Sequence, residues 1–247
     1  MSVIFISDLH LDNSRSVVIN YFVNYIKNLN KSVESIYILG DFLEYWVGDD
    51  DPAQGLNEVF EVLKLQSKNI NISLMHGNRD FLLSKNYCKK YGIELISDPT
   101  IIDLYGKKVL LMHGDTLCTD DIKYQEFRKL VRSRQWQDNV LSRSLEERLN
   151  LAKTLRVESA KATKVKDEYI MDVNQDAVVK VINEYGVDVI IHGHTHRPNI
   201  HNITIDDKNI KRIVLGDWYD KTFILNYDED NIKIEKTSLI SQRDHSS

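Results

Sequence analysis

Five short apolar runs in this chain stop on the same kind of polar cluster. "VIFIS" leads into Asp8 and His10, "YIL" into Gly40 and Asp41, and "SLM" into His76, Gly77, Asn78, Arg79 and Asp80. "VLLM" leads into His113, Gly114 and Asp115, and "VII" into His192, Gly193, His194 and His196. Amphipathic stretches near residues 17–29, 54–68 and 172–185 alternate with the runs, the pattern of β-α-β units around a parallel sheet. Ligands bind such a sheet outside the carboxyl ends of its strands, so all five clusters are expected to converge there. Taken singly, an Asp-x-His or a Gly-Asp after a strand is a turn or a cap. Carboxylate, imidazole and amide oxygen repeated at successive strand ends make a site.

A chain of 247 residues suits one large α/β domain, or one domain with a sizeable insertion. Its apolar runs are too short to cross a bilayer, and "MSVIFISDLH" has no basic leader region. Cys88 and Cys118 supply neither a disulfide framework nor a thiolate metal site, so a reducing cytoplasm is expected. The net charge of −5 is uneven: residues 123–166 hold 12 Lys and Arg against 5 Asp and Glu, +7 locally, which leaves −12 on the rest. The acidic remainder argues against a nucleic-acid partner. The basic stretch suits phosphates or an anionic membrane surface, or is a solvated helical face.

Between Asp121 and Met171 the apolar spacing becomes helical. Tyr124, Phe127, Leu130 and Val131, and then Leu141, Leu145, Leu149, Ala152 and Leu155, read as packing faces. Part of one stripe can line an apolar substrate pocket if these helices cover the strand ends. From Asn199 to Leu239 short runs alternate with turn signals such as "DDKN" and "YDEDN", which predicts antiparallel strands.

Imidazole, carboxylate and amide oxygen together suit a pair of divalent cations. Two such ions about 3.5–4 Å apart activate water and clamp the attacking and leaving oxygens of a phosphoryl displacement, and one carboxylate must bridge them. Gly40, Gly77, Gly114 and Gly193 beside the clusters let the backbone turn tightly. The order Asp-x-His, Gly-Asp, Gly-Asn-x-Asp, His-Gly and Gly-His-x-His, spread from Asp8 to His194, resembles the calcineurin-like metallophosphoesterases. The resemblance implies a four-layer α/β/β/α sandwich, here residues 1–121 and 172–247, interrupted by a helical lid insertion at 122–171. It also implies that Asp8, His10, Asp41 and His194 hold one metal and that Asp41, Asn78, His113 and His192 hold the other, with Asp41 as the bridge. His76, Asp80 and His196 match no ligand position in that assignment.

Arg79 departs from the broad family, many members of which carry a histidine after the Gly-Asn. A guanidinium binds phosphate oxygens but does not give up its proton near neutral pH. Such a site prefers a leaving group that needs no protonation, such as a phosphate monoester leaving a pyrophosphate, whose second pKa is about 6. The longer motifs "GDFLEYWVGDDDP", "HGNRDFLL", "LMHGDTLCTDD", "IMDVNQ" and "IHGHTHRP" resemble those of the hydrolases that act on UDP-2,3-diacylglucosamine in bacterial lipid A biosynthesis. That resemblance implies water attack at the α-phosphorus, giving UMP and 2,3-diacylglucosamine 1-phosphate (lipid X), with Mn²⁺, by a peripheral protein at the cytoplasmic face of the inner membrane. It implies catalytic roles for Asp41, Asn78, Arg79 and His192. Substrate contacts would come from Asn78, Arg79, Asp121, Ser159, Thr163, Lys166 and His192. A monomer is expected. The metal-ligand motifs by themselves leave open a generic dinuclear phosphodiesterase acting on nucleotides.

Overall fold

In chain order the elements are β1 (Ser2–Ile6), α1 (Ser16–Lys27), β2 (Val33–Leu39), α2 (Asn57–Gln66), β3 (Asn71–Met75), α3 (Lys85–Lys90), β4 (Glu94–Ile96), β5 (Thr100–Leu104), β6 (Lys107–Met112), α4 (Ile122–Val131), α5 (Arg134–Leu141), α6 (Leu145–Lys164), α7 (Gln175–Tyr185), β7 (Val189–His192), β8 (Asn199–Ile205), β9 (Lys208–Val214), β10 (Lys221–Asp228) and β11 (Ile232–Ser238). This computed structural model describes residues 1–164 and 170–239.

The strands form two sheets, ordered β11-β10-β1-β2-β3-β4 and β5-β6-β7-β9-β8. Strands β1 to β4 run parallel, as do β6, β7 and β9. The antiparallel strands flank them on the outer edges. Alternation along the buried strands fixes the layers, because successive side chains point to opposite faces. Val3 and Phe5 of β1 join Val109 and Leu111 of β6 and Val189 and Ile191 of β7 in a core between the sheets. Ile4 and Ile6 face the other way, onto Val18, Phe22 and Ile26 of α1 and Val59 and Leu63 of α2. Leu110, Met112 and Ile190 face Val178 and Ile182 of α7. The result is a four-layer α/β/β/α sandwich. The clusters at the ends of β1, β2 and β3 belong to one sheet and those at the ends of β6 and β7 to the other, so the site lies across the two sheets rather than along one edge.

Helix α7 shows how local chemistry sets its ends: the Asn174 side chain accepts from the Ala177 N–H, and Gly186 closes the helix in the left-handed region at φ 57°. Strand β4 and helix α3 have too few residues to show a period in the sequence.

The apolar stripes of residues 122–164 act as packing faces only in part: Tyr124, Leu145, Ala152 and Leu155 are half-buried. Val131 and Val140 are buried, but Phe127, Leu130, Leu141 and Leu149 are exposed, Leu130 by 57%. What ties these helices to the sandwich is largely polar, beside the contact of the Trp136 and Phe81 rings at 6.0 Å. Arg128 pairs with Asp115 at 2.6 Å, Arg132 donates to the Gly77 carbonyl at 2.7 Å, Arg148 donates to the Val47 carbonyl at 2.6 Å and pairs with Asp50, and Arg156 pairs with Glu44 at 2.8 Å. Part of the positive charge is therefore turned inward and is not a solvated face. Among the described residues no helix is long and apolar enough to cross a membrane.

Candidate active site

Five residues at the strand ends hold a left-handed backbone: Asp8 (φ 55°), His10 (48°), Asp41 (48°), His194 (68°) and His196 (55°). Each such residue costs about 1–3 kcal/mol, and strain of this kind gathers where side chains must be aimed. The loops hold one another in place. Asp8 N–H donates to the Gly40 carbonyl at 3.1 Å, His10 N–H to that of Asp41 at 2.9 Å, and Gly193 N–H to that of His113 at 2.9 Å. Gly77 is required for close approach, since a Cβ there would strike the Asp41 carboxylate and its backbone nitrogen. Gly40 is required twice over: its φ is +88°, and a Cβ would enter the His113 ring.

Asp41 stands at the centre, 2% exposed. Its Oδ2 faces His10 Nε2 and its Oδ1 faces His113 Nε2, both at 3.8 Å. Asn78 Oδ1 lies 3.0 Å from His113 Nε2 and 3.0 Å from His194 Nδ1. His196 Nε2 lies 3.4 Å from both Asp8 Oδ1 and His10 Nε2. Among the described residues, Asp8, His10 and His196 place one ligand atom each within 4.8 Å of one another, as do Asp8, Asp41 and His113.

The carboxyl-terminal histidines are thus displaced by two residues from the expected ligand set. His194 joins Asn78 and His113, His196 joins Asp8 and His10, and His192 is left out of both groups. The reason is chemical. Arg212 Nη1 donates to His192 Nε2 at 3.2 Å, so the neutral ring carries its proton on Nδ1 and donates it to the Gly193 carbonyl at 2.9 Å. In this arrangement neither nitrogen keeps a free lone pair, and the ring is fully buried. The strand period agrees: Ile190 faces α7, and His192 two residues later lies on that same face of β7.

Arg79 donates its backbone N–H to Asp41 Oδ1 at 2.9 Å, and among the described residues its guanidinium pairs with no carboxylate. Asp80 is a tie between loops, its carboxylate accepting from the Gly77, Phe42 and Leu43 N–H groups at 2.8, 2.8 and 3.3 Å. His76 Nε2 lies 2.7 Å from the Leu83 carbonyl and closes the same loop. Asp121 caps α4 by accepting from the Tyr124 N–H at 3.2 Å, and the Tyr124 ring lies 5.7 Å from that of His194. Ser159 is exposed on α6, three residues beyond Arg156. Lys166 and the side chain of Thr163 lie outside the described residues.

The electrostatics suit cations. Burial opposes charge on Asp8, yet the hydrogen bond and charge of His196, with His113 and His10, hold its carboxyl well below the usual range. Burial also works against His113, but the carboxylates of Asp41, Asp115 and Asp8 push it up to about 9. His194 is pushed down to about 3 by burial and by the charge of His113. Two imidazole nitrogens and an amide oxygen meeting at 3.0 Å need a proton or a cation between their lone pairs. Asp8 Oδ1, buried with no aligned hydrogen bond, presents a further open position. The donor set therefore fits divalent ions of the kind that accept nitrogen and oxygen together.

A family model for the calcineurin-like phosphoesterases matches residues 1–198. The chain belongs to that family. As a member, the phosphoesterase is a metal-dependent hydrolase. It is 47% identical to a UDP-2,3-diacylglucosamine hydrolase of Cellvibrio japonicus over 92% of this chain and 95% of that one. Proteins of the same name from Aliivibrio fischeri (44%, covering 96% and 98%) and Vibrio vulnificus (40%, covering 98% and 100%) are similar over nearly their whole length.

One buried group beside the phosphoesterase site carries a pH signature. Among the described residues both oxygens of Asp98 lack a hydrogen-bond partner, and Arg128 is 3.9 Å away. Burial, reinforced by the charge of Asp115, pushes this carboxyl from 3.8 up to about 6. A raised carboxyl pKa costs stability once the pH exceeds the unfolded value, and the whole cost is present above the folded one. Asp98→Asn is therefore expected to stabilise the metal-free protein by about 3 kcal/mol at pH 8 and by little at pH 4. Urea midpoints at the two pH values check this; equal gains at both would contradict it.

Proposed function

We propose that this phosphoesterase hydrolyses the diphosphate of UDP-2,3-diacylglucosamine, giving UMP and lipid X. Near full-length similarity to hydrolases of that name supports the choice of substrate. The observation that carries the chemistry is Arg79: its backbone is held on Asp41, and its guanidinium is left without a carboxylate among the described residues. A fixed cation there neutralises phosphoryl oxygens but offers no proton, so the leaving group must depart as an anion, which a phosphate monoester does. A nucleotide phosphodiesterase expelling an alkoxide needs the acid that this position lacks.

Asp8, His10, Asp41 and His196 would hold one divalent cation, and Asp41, Asn78, His113 and His194 the other, with Mn²⁺ as the proposed ion. When bound, such a pair supplies Lewis-acid activation of water and neutralises phosphoryl charge. Asp41 turns one oxygen toward each group and so is suited to bridge. Arg79 binds the α-phosphoryl oxygens as charge builds on them. Water adds to the α-phosphorus, the bond to the bridging oxygen breaks, and that oxygen leaves on lipid X. Hydrolysis in ¹⁸O-water should place the label in UMP, and label in lipid X would contradict attack at the α-phosphorus. The ligand register has its own check: His196→Ala should reduce bound Mn²⁺ from two ions per chain to one, whereas His192→Ala should retain two. The reverse pattern would restore the expected assignment.

Residues 122–171 are assigned as a lid over this site, with Ser159, Thr163 and Lys166 near substrate. The exposed Ile122, Phe127 and Leu130 beside Lys123 and Lys129 support peripheral contact with an anionic membrane, where each basic side chain adds about 1 kcal/mol. The cytoplasmic face of the inner membrane, where such a substrate is handled, is the proposed location, with the protein acting as a monomer.

A further inference from the structure

The two nitrogens of His10 have different neighbours. Nε2 faces the cluster, 3.8 Å from Asp41 Oδ2 and 3.4 Å from His196 Nε2. Nδ1 is buried without an aligned hydrogen bond and lies 3.2 Å from Glu44 Oε2. The face of the ring is covered by Tyr219, with centroids 5.4 Å apart and planes 22° from parallel. Arg15 supports that stack, lying 4.6 Å from the Tyr219 centroid and donating to the His10 carbonyl at 2.7 Å. One ring nitrogen therefore faces the cation cluster and the other faces a carboxylate.

Glu44 belongs to the "GDFLEYW" stretch and supplies no ligand to the proposed cations. Its side chain is 9% exposed, and its second oxygen receives Arg156 of α6 at 2.8 Å. A buried carboxylate is stable only when its charge is met, and here the two partners are a ring at the metal cluster and a guanidinium on the insertion. A carboxylate against the outer nitrogen of a metal-binding imidazole takes its N–H, fixes the tautomer and makes the inner nitrogen a better donor.

We propose that Glu44 is a positioning residue: it fixes His10 as a metal ligand and, through Arg156, ties α6 to the cation site, so that cation binding and the docking of α6 stabilise one another. This rests on His10 being a ligand. The coupling is reciprocal by linkage, since whatever holds α6 against Glu44 raises cation affinity to the same degree that the cation holds α6.

The test uses Mn²⁺ alone, titrated calorimetrically into metal-free full-length protein well below the melting temperature of each variant, with hydrogen exchange followed in α6. Glu44→Gln keeps the shape and removes the charge; it is expected to weaken Mn²⁺ binding about 10- to 100-fold and to abolish any Mn²⁺-dependent slowing of exchange in α6. Arg156→Gln is expected to weaken binding several-fold and to lose the same protection. The double variant should bind no more weakly than Glu44→Gln, because the arginine acts through the carboxylate. Wild-type affinity in Glu44→Gln, or α6 exchange indifferent to Mn²⁺ in the wild type, would overturn the proposal. His10→Ala separates the two levels. Retention of both cations there would show that the ligand assignment is wrong, whereas loss of one cation with Glu44→Gln unaffected would reject the positioning role alone.

Discussion

Asp41→Ala is expected to lower turnover of UDP-2,3-diacylglucosamine by about a thousandfold or more, at least about 4 kcal/mol of lost transition-state stabilisation. The side chain lies between the two groups, with one oxygen toward His10 and the other toward His113, both at 3.8 Å. It also accepts the Arg79 N–H at 2.9 Å, so its removal frees the loop that carries the guanidinium. Bound metal should fall along with turnover, which elemental analysis of the dialysed variant would show. Near-normal turnover with both cations retained would mean that Asp41 is not a bridge.

Arg79→Ala is expected to cost about 100- to 1,000-fold in turnover, the usual range for removing one fixed group that meets developing charge. Arg79→His is the sharper variant. If the position supplies charge, histidine at pH 8 is mostly neutral and recovers nothing; if it supplies a proton, histidine recovers activity with a pH dependence of its own. Metal content should stay at the wild-type level in both variants, since Arg79 contributes only its backbone N–H to the ligand shell. Recovery by histidine would remove the argument for a diphosphate.

Much of the fold was legible because the buried parallel strands read as continuous apolar runs and helical spacing is strong in α1, α2 and α7. The runs around Ile4 and Leu110 sit in two different sheets, which the periodicity of a single strand cannot reveal; that follows only from which faces share a core. The stripes of α4 and α6 misled in part for a related reason. Apolar residues at helical spacing show that a face exists and not what covers it, and Phe127 and Leu130 face outward. At the site, residue types and motif order brought Asp8, His10, Asp41, Asn78 and His113 together, because carboxylate and imidazole after a strand have few other uses in such number. The choice among His192, His194 and His196 depended on backbone geometry. His194 and His196 occupy left-handed positions that turn their rings toward Asn78 and Asp8, while His192 remains on the strand with Arg212. Glu44 carried no signal of its own, since a glutamate five residues after a strand is ordinary; its meaning comes from His10 and Arg156 on either side.

The central claim is that this site cleaves a diphosphate with two cations held by these ligands. Metal-stripped protein assayed on UDP-2,3-diacylglucosamine, with Mn²⁺, Mg²⁺ or Zn²⁺ returned singly, tests it directly. The expected result is no product without metal, and equal release of UMP and lipid X once an ion is restored, fastest with Mn²⁺. Product formation by the stripped protein, or a metal-loaded protein that leaves this substrate intact while hydrolysing cyclic nucleotides, would contradict it.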